Sequence, residues 1–189
     1  MKILVLDNYD SFTFNLVHIL KELSEGPVDV YRNNEISLDE IGRYDKIVIS
    51  PGPGVPDQAG ITKSLISHFG PTKSIFGVCL GCQAIAEVFG GCLINLDKVY
   101  HGVATNINIL DRSERIFAGI PEIFTAGRYH SWVVSRENLP SDLRITAQDD
   151  DGMVMGISHA TFDIKGVQFH PESVLTKDGK QILRNWLTT

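Results

Sequence analysis

A cysteine lies between two glycines in the run Gly77-Val78-Cys79-Leu80-Gly81. An apolar, strand-like stretch precedes this run and a helix-like stretch follows it. A sharp turn from strand to helix requires small residues on both sides, and the two glycines provide them. Such a turn exposes a thiol near backbone N–H groups and the positive end of a helix dipole, which stabilise the reactive thiolate. The pattern therefore indicates a cysteine nucleophile for acyl transfer.

A base for this nucleophile is available far downstream, in the run His170-Pro171-Glu172. Residues two apart in an extended segment point to the same side, so the imidazole and the carboxylate can meet. An isolated His-x-Glu is usually a solvated strand end, and the cysteine run in the same chain is what favours a catalytic role. We expect a triad in which His170 moves the proton of Cys79 and Glu172 orients the imidazole.

The run Pro51-Gly52-Pro53-Gly54 follows a buried, strand-like stretch. Pro-Gly pairs most often form simple turns. Glycine also lets the main chain approach a ligand closely, and the prolines keep the loop rigid. Our hypothesis is an oxyanion hole whose two donors are the N–H groups of Gly52 and Leu80. The sequence has no Gly-Lys-Ser/Thr or G-x-G-x-x-G pattern after this loop, which argues against phosphate binding.

Two other interpretations use the cysteines differently. Cys79 and Cys82 form a C-x-x-C pair, which leaves a thioredoxin-like redox protein as a remote alternative. Such a protein would have no use for the His-x-Glu run. A zinc site is weaker, because Cys79, Cys82 and Cys92 lack a fourth ligand at sensible spacing, and we expect no metal in this chain. A separate hypothesis is that oxidation joins Cys79 to Cys82 and switches the enzyme off.

The composition is that of an ordinary globular domain. The chain has 189 residues, which favours one domain over 1–189. Its net charge of −6 argues against nucleic-acid and anionic-membrane partners, which reward a basic face. Three cysteines in a chain of this length do not suggest a disulfide framework, so we expect a reducing, cytoplasmic location.

The first half of the chain alternates strand-like and helix-like segments. The predicted strands are Ile3–Leu6, Val28–Tyr31, Ile47–Ile49 and Ser74–Cys79, and the predicted helices span about 11–24, 60–69 and 84–89. Continuously apolar strands are typical of a parallel sheet covered by helices on both faces. The loops Asp7–Ser11, Pro51–Gly54 and the Cys79 turn should therefore lie on one edge, where such folds bind ligands.

The second half predicts a small antiparallel portion. Its predicted strands are Val103–Leu110, Phe124–Val134, Arg144–Ala147, Val154–Ile157, about 160–164 and about 166–169. Lys165-Gly166 is a candidate hairpin turn between the last two, and a final helix is predicted over about 178–188. The expected class is thus α/β, with a mostly parallel central sheet, helices on both faces and a small antiparallel part.

Five runs of the chain, taken in order, resemble the motifs of the class I, triad-type glutamine amidotransferases. They are Asp7–Phe12, Ser50–Gly54, Gly77–Gln83, Arg128–Ser131 and Gln168–Ser173. The resemblance covers essentially the whole chain and implies a flavodoxin-like fold. It also implies that Cys79 attacks the side-chain amide of glutamine, that ammonia leaves with a proton from His170, and that water hydrolyses the thioester. The implied glutamine-binding residues are Gly52, Gly54, Leu80, Gln83, Ser131 and Trp132.

The run Asp7–Phe12 resembles in particular the glutaminase subunits of anthranilate synthase and of aminodeoxychorismate synthase. This implies a heteromeric complex with a large subunit that binds chorismate, holds magnesium and receives ammonia through a channel. Cofactors are not expected in this chain itself. The anthranilate pathway to tryptophan is the leading hypothesis, and the folate pathway, or a subunit shared by both, is the alternative. The loops Asn8–Phe12 and Tyr129–Ser131 are candidates for the partner contact.

Overall fold

The computed structural model describes residues 1–189 in full, with eleven strands and five α-helices. The strands are β1 (Ile3–Asp7), β2 (Val28–Arg32), β3 (Lys46–Ile49), β4 (Ser74–Val78), β5 (Leu93–Asn95), β6 (Val103–Ile109), β7 (Ile123–Arg128), β8 (Trp132–Val134), β9 (Leu143–Asp149), β10 (Val154–His159) and β11 (Ile164–Val167). The helices are α1 (Thr13–Leu23), α2 (Leu38–Ile41), α3 (Thr62–Phe69), α4 (Leu80–Val88) and α5 (Gly179–Leu187).

Nine strands form one sheet in the order β2-β1-β3-β4-β11-β10-β9-β6-β7. The pairs from β2 to β11 are parallel, and the pairs from β11 to β7 are antiparallel. The expected α/β class is confirmed, and the antiparallel strands continue the parallel sheet rather than standing apart from it. A separate two-stranded sheet pairs β5 with β8.

Helices cover both faces of the parallel part. Along β1, Ile3 and Val5 enter one core with α1 and α5, while Leu4 and Leu6 enter a second core with α3 and α4. This strict alternation follows from the two-residue period of a strand. Burial on both faces explains why β1, β3 and β4 are continuously apolar.

Two sequence expectations in the second half are wrong. Lys165-Gly166 is not a hairpin turn, and the strands predicted at about 160–164 and 166–169 are one strand, because β11 runs straight through Lys165-Gly166 and the turn lies before Ile164. Gly166 is required inside the strand, since a Cβ there would lie 2.9 Å from the sulfur of Cys82. The predicted strand Phe124–Val134 is divided into β7 and β8, which leaves residues 129–131 as a loop. Helix α2 and strand β5 are further elements that were not predicted from the sequence.

None of the five helices combines the length and the apolar character that crossing a membrane requires.

Candidate active site

The turn from β4 to α4 holds Cys79 in an unusual backbone conformation, with φ +51° and ψ −101°. Two glycines allow it. A Cβ on Gly77 would lie 2.5 Å from the carbonyl carbon of Gly81, and a Cβ on Gly81 would lie 2.6 Å from the carbonyl oxygen of Ile49. Both distances are too short for any side chain, so the first turn of α4 packs directly on β3 and β4. The predicted strand-to-helix elbow is therefore present, and it places the thiol at the start of α4.

Two free backbone donors lie near the thiol. The N–H groups of Gly52 and Leu80 make no hydrogen bond within the chain, and Gly52 lines both cavities beside Cys79. Buried Asn8 holds the Gly52 loop, because its N–H donates to Ser50 Oγ at 2.8 Å and its Nδ2 donates to the Ser50 carbonyl at 3.0 Å. A Cβ on Gly52 would lie 2.6 Å from the Cβ of Asn8, so only glycine fits there.

His170 and Glu172 form a buried pair beside the same turn. The two side chains face each other, with 2.6 Å between His170 Nδ1 and Glu172 Oε1. The carboxylate accepts the Nδ1 proton, which fixes this end of the ring and leaves Nε2 as the nitrogen that can gain or lose a proton. Nε2 makes no hydrogen bond within the chain. The backbone N–H of His170 donates to the Gly127 carbonyl at 2.9 Å, which ties this segment to β7.

The charge state of His170 is set by its neighbours. Burial alone lowers the pKa of His170, but the Cys79 side chain and the Glu172 carboxylate outweigh burial and raise that pKa to about 10. An imidazole with a raised pKa holds its proton at neutral pH and stabilises a nearby thiolate. Cys79 and His170 line the same cavity, so the positive charge of His170 lies on the side of the thiol.

Aromatic side chains shield this pair. The ring of Tyr129 lies 4.8 Å from the His170 ring, and that of Phe12 lies 6.1 Å from it, both edge-on. The Tyr129 hydroxyl shares a hydrogen bond of 3.1 Å with Ser173 Oγ. The rings come from two loops that the sequence analysis placed on one edge, and the structure brings these loops together there.

Two cavities meet at Cys79. The first, of about 200 Å³, lies on the side of α4. Five of the six residues predicted to bind glutamine line it: Gly52, Gly54, Gln83, Ser131 and Trp132. Leu80 does not. The second, of about 390 Å³, lies on the side of His170 and is lined by the loop from Tyr9 to Phe12. The Cys79 thiol is thus reachable from two directions.

Four polar side chains to which the sequence gave no catalytic role lie at or behind the first cavity, and His130 alone lines it. They are Gln168, His130, Arg128 and Asp149, and all four are buried. Arg128 donates to Asp149 Oδ2 at 2.6 Å and to His130 Nε2 at 3.1 Å. Gln168 and Arg128 stood inside runs already noted in the sequence, but only the folded chain shows what they contact.

Cys82 does not act with Cys79 in this structure. The three cysteines are unpaired, and the thiols of Cys79 and Cys82 belong to different cores, on opposite faces of the sheet. Burial, with a smaller effect of Cys79, raises the pKa of Cys82 far above its ordinary range. An inert, buried thiol gives no support to the redox interpretation or to a regulatory disulfide. No group of three or more His, Cys, Asp or Glu side chains is arranged to hold a metal.

Comparison with known proteins agrees with this geometry. The family model described as "Glutamine amidotransferase class-I" matches residues 4–189. The chain is 48% identical over 189 residues to the aminodeoxychorismate/anthranilate synthase component 2 of Bacillus subtilis, covering 99% of this chain and 96% of that protein. It is 45% identical over 188 residues to the anthranilate synthase component 2 of Cyanophora paradoxa, covering 98% and 97%.

A solved structure shares the fold. It is a Thermoplasma acidophilum protein described as one component of a GMP synthase, with a TM-score of 0.88 and 30% identity, covering 100% of this chain and 92% of that one.

Proposed function

Because this chain belongs to the class I glutamine amidotransferases, we propose that it is the glutaminase component of a chorismate-using synthase. Anthranilate synthase, in tryptophan biosynthesis, is the first candidate. Aminodeoxychorismate synthase, in folate biosynthesis, is the second, and the Bacillus subtilis relative, whose name covers both enzymes, favours a shared subunit. The observation that carries the proposal is that Cys79, at the end of a parallel strand, lines the same cavity as His170, which is paired with the buried Glu172.

The triad performs glutamine hydrolysis in two steps. The Cys79 sulfur attacks the side-chain amide carbon of glutamine, and the oxygen that becomes negative is stabilised by the N–H groups of Gly52 and Leu80. The C–N bond then breaks, and ammonia leaves with the proton from His170 Nε2. His170 next takes a proton from water, which attacks the thioester and releases glutamate and the thiolate.

Glutamine would occupy the first cavity. Ser131 and Trp132 line it and would hold the amino-acid end mainly through backbone groups, while Gly54 and Leu80 would contact the reacting end. The Nε2 group of Gln83 donates to the Trp132 carbonyl at 2.9 Å. Its Oε1 makes no hydrogen bond within the chain, so it can accept an N–H of the ligand.

Ammonia would leave through the second cavity. Residues Tyr9, Asp10, Ser11 and Phe12 line this cavity on the side away from the proposed glutamine site. We place the partner subunit over this opening, against the loops Asn8–Phe12 and Tyr129–Ser131. That partner would bind chorismate and magnesium and receive ammonia directly. The three unpaired cysteines fit a reducing compartment, and we propose the cytoplasm.

The test combines this chain with the large anthranilate synthase subunit of the same organism, chorismate and magnesium, and follows anthranilate fluorescence. Glutamine and ammonia are compared as nitrogen sources. We expect glutamine-driven product to vanish in Cys79→Ala, with ammonia-driven product unchanged, because the nucleophile is needed only to release ammonia from glutamine.

Two results would redirect or contradict the proposal. Product from ammonia alone, even with the unmodified chain, would direct the same test to the aminodeoxychorismate synthase subunit. Glutamine-driven product that survives in Cys79→Ala with either partner would remove Cys79 from the reaction.

A further inference from the structure

Gln168 lies beside the reacting sulfur, although its position in the sequence gives it no evident role. It follows β11, its side chain is completely buried, and its Nε2 lies 3.4 Å from Cys79 Sγ as a hydrogen-bond donor. An amide buried at this depth is retained only where its polar atoms find partners. The contact is therefore a built feature of the site.

The orientation of this amide follows from its neighbours. Gln168 Oε1 accepts from Gln83 Nε2 at 3.2 Å, and the same Gln83 nitrogen donates to the Trp132 carbonyl at 2.9 Å. A backbone carbonyl can only accept, so Gln83 must present its NH₂ group there. Its second N–H then meets the oxygen of Gln168, which leaves the Gln168 NH₂ group facing sulfur.

A buried arginine fixes the other end of the same chain of hydrogen bonds. Arg128 can only donate, and its Nε donates to His130 Nε2 at 3.1 Å. His130 therefore carries its proton on Nδ1, which donates to the Trp132 carbonyl at 2.9 Å. Burial and the nearby Arg128 charge lower the pKa of His130 to about 3, so the ring stays neutral and keeps both roles. Every donor between Arg128 and Cys79 is thus determined.

We propose that Gln168 is a further catalytic residue, whose amide N–H donates a hydrogen bond to the Cys79 sulfur and stabilises it as the thiolate. Gln83 acts as its positioning residue. A donor favours the charged sulfur over the neutral thiol and over the thioester. Gln168 therefore assists both the formation of the nucleophile and its release in the hydrolysis step. The inference rests on the proposed role of Cys79 as the nucleophile.

The test measures the rate at which iodoacetamide alkylates Cys79 as a function of pH, in a Cys92→Ser background. Gln168→Met keeps the length of the side chain and removes the donor. We expect the midpoint of its pH profile to rise by about one unit and its alkylation rate to fall about tenfold at any pH below the midpoint of the unmodified chain. The control is Gln181→Met on α5, where the amide contacts only Asn185 and Arg184, and its profile should be unchanged.

A second variant keeps the test informative if Gln168→Met does not fold. Gln168→Glu has nearly the same shape but places a carboxylate against the sulfur, so the midpoint should rise further than in Gln168→Met. An unchanged pH profile in a folded Gln168 variant would overturn the inference and leave Gln168 a packing residue. Because alkylation needs neither glutamine nor a partner, unreactive Cys79 in the unmodified chain would instead contradict its role as nucleophile.

Discussion

Cys79 occupies a backbone region that residues with a Cβ rarely adopt. Its φ of +51° is one of three positive values at non-glycine positions, and its ψ of −101° lies outside the left-handed helical region. Such conformations cost about 1–3 kcal/mol and persist only where the surrounding structure imposes them. Here the close contacts of Gly77 and Gly81 impose it, and the result is a sulfur directed between two cavities.

Replacing Cys79 with glycine should relieve this strain. We expect the free energy of unfolding of Cys79→Gly to be about 1 kcal/mol larger than that of Cys79→Ala, because glycine adopts positive φ without penalty. Urea denaturation measures both values. The control is the same pair of substitutions at Cys92, where φ is not positive. Cys92→Gly should be less stable than Cys92→Ala, and the same order at position 79 would argue against backbone strain.

The sequence alone identified those candidate site residues that belong to a short motif of neighbouring residues. Cys79 was recognisable from its flanking glycines, and His170 and Glu172 from their separation of two. Gln168 was not, because its role depends on contacts with side chains from α4 and the turn after β4, and no local pattern reports such a contact.

At the scale of elements, α4 is the part that positions the site. Its first turn carries Leu80, whose N–H directly follows Cys79 and makes no hydrogen bond within the chain, and Gln83, which lines the first cavity. Gly81 packs this turn directly against β3, where there is no room for a side chain. The position of the helix is therefore set by backbone contact, which is less adjustable than a contact between side chains.

Adding one methyl group at Gly81 should displace the helix. We expect Gly81→Ala to lower the free energy of unfolding by about 1–3 kcal/mol, since the new carbon would lie 2.6 Å from the Ile49 carbonyl oxygen. The control is Gly42→Ala, where the nearest atom would be 3.2 Å away and φ is −51°. Urea denaturation measures the free energy of unfolding of both variants. Equal values for Gly81→Ala and Gly42→Ala would show that α4 can shift without cost.

The elements of the first half follow from local sequence, because buried parallel strands and amphipathic helices have distinct periods. The errors arose where tertiary contacts override local preference. Lys165-Gly166 resembles a turn, but the glycine is inside β11 because Cys82 packs against it. Residues 129–131 leave the strand, and their side chains form hydrogen bonds outside it: His130 with Arg128 and Tyr129 with Ser173.

Across the whole molecule, eight large hydrophobic side chains are exposed, and half of them belong to segments around the candidate site. Tyr9, Phe14, Val99 and Val174 are exposed and lie in loops or first turns at the edge of the sheet that carries Cys79. We call these four residues the site-edge patch. Exposed apolar groups that gather in one region are typical of protein–protein contacts. Tyr9 lines the second cavity and Val99 lines the first, so we expect the partner subunit to contact this patch.

A charge in this patch should weaken the complex. Val174 is 94% exposed, lines neither cavity and lies just beyond Glu172. We expect Val174→Asp to raise the Kd for the large synthase partner by about tenfold or more, or roughly 1.4 kcal/mol, because the charge would be desolvated on binding. Titration calorimetry measures this.

The control is Ile123→Asp, at the start of β7 and 56% exposed at the opposite edge of the sheet. It should leave the Kd unchanged. Equal weakening by both variants, or by neither, would move the partner away from the site-edge patch.

The placement of β11 beside β4 also has a consequence for biosynthesis. The two strands are hydrogen-bonded neighbours, yet six strands are synthesised between them. Until β11 emerges from the ribosome, β4 has an unpaired edge and Cys79 lacks His170, its partner in the proposed triad. We therefore expect a nascent chain that ends before His170 to release no ammonia, and we expect pairing between segments this distant in sequence to be slow. A nascent chain arrested before residue 164 would be inactive and would expose an aggregation-prone strand edge.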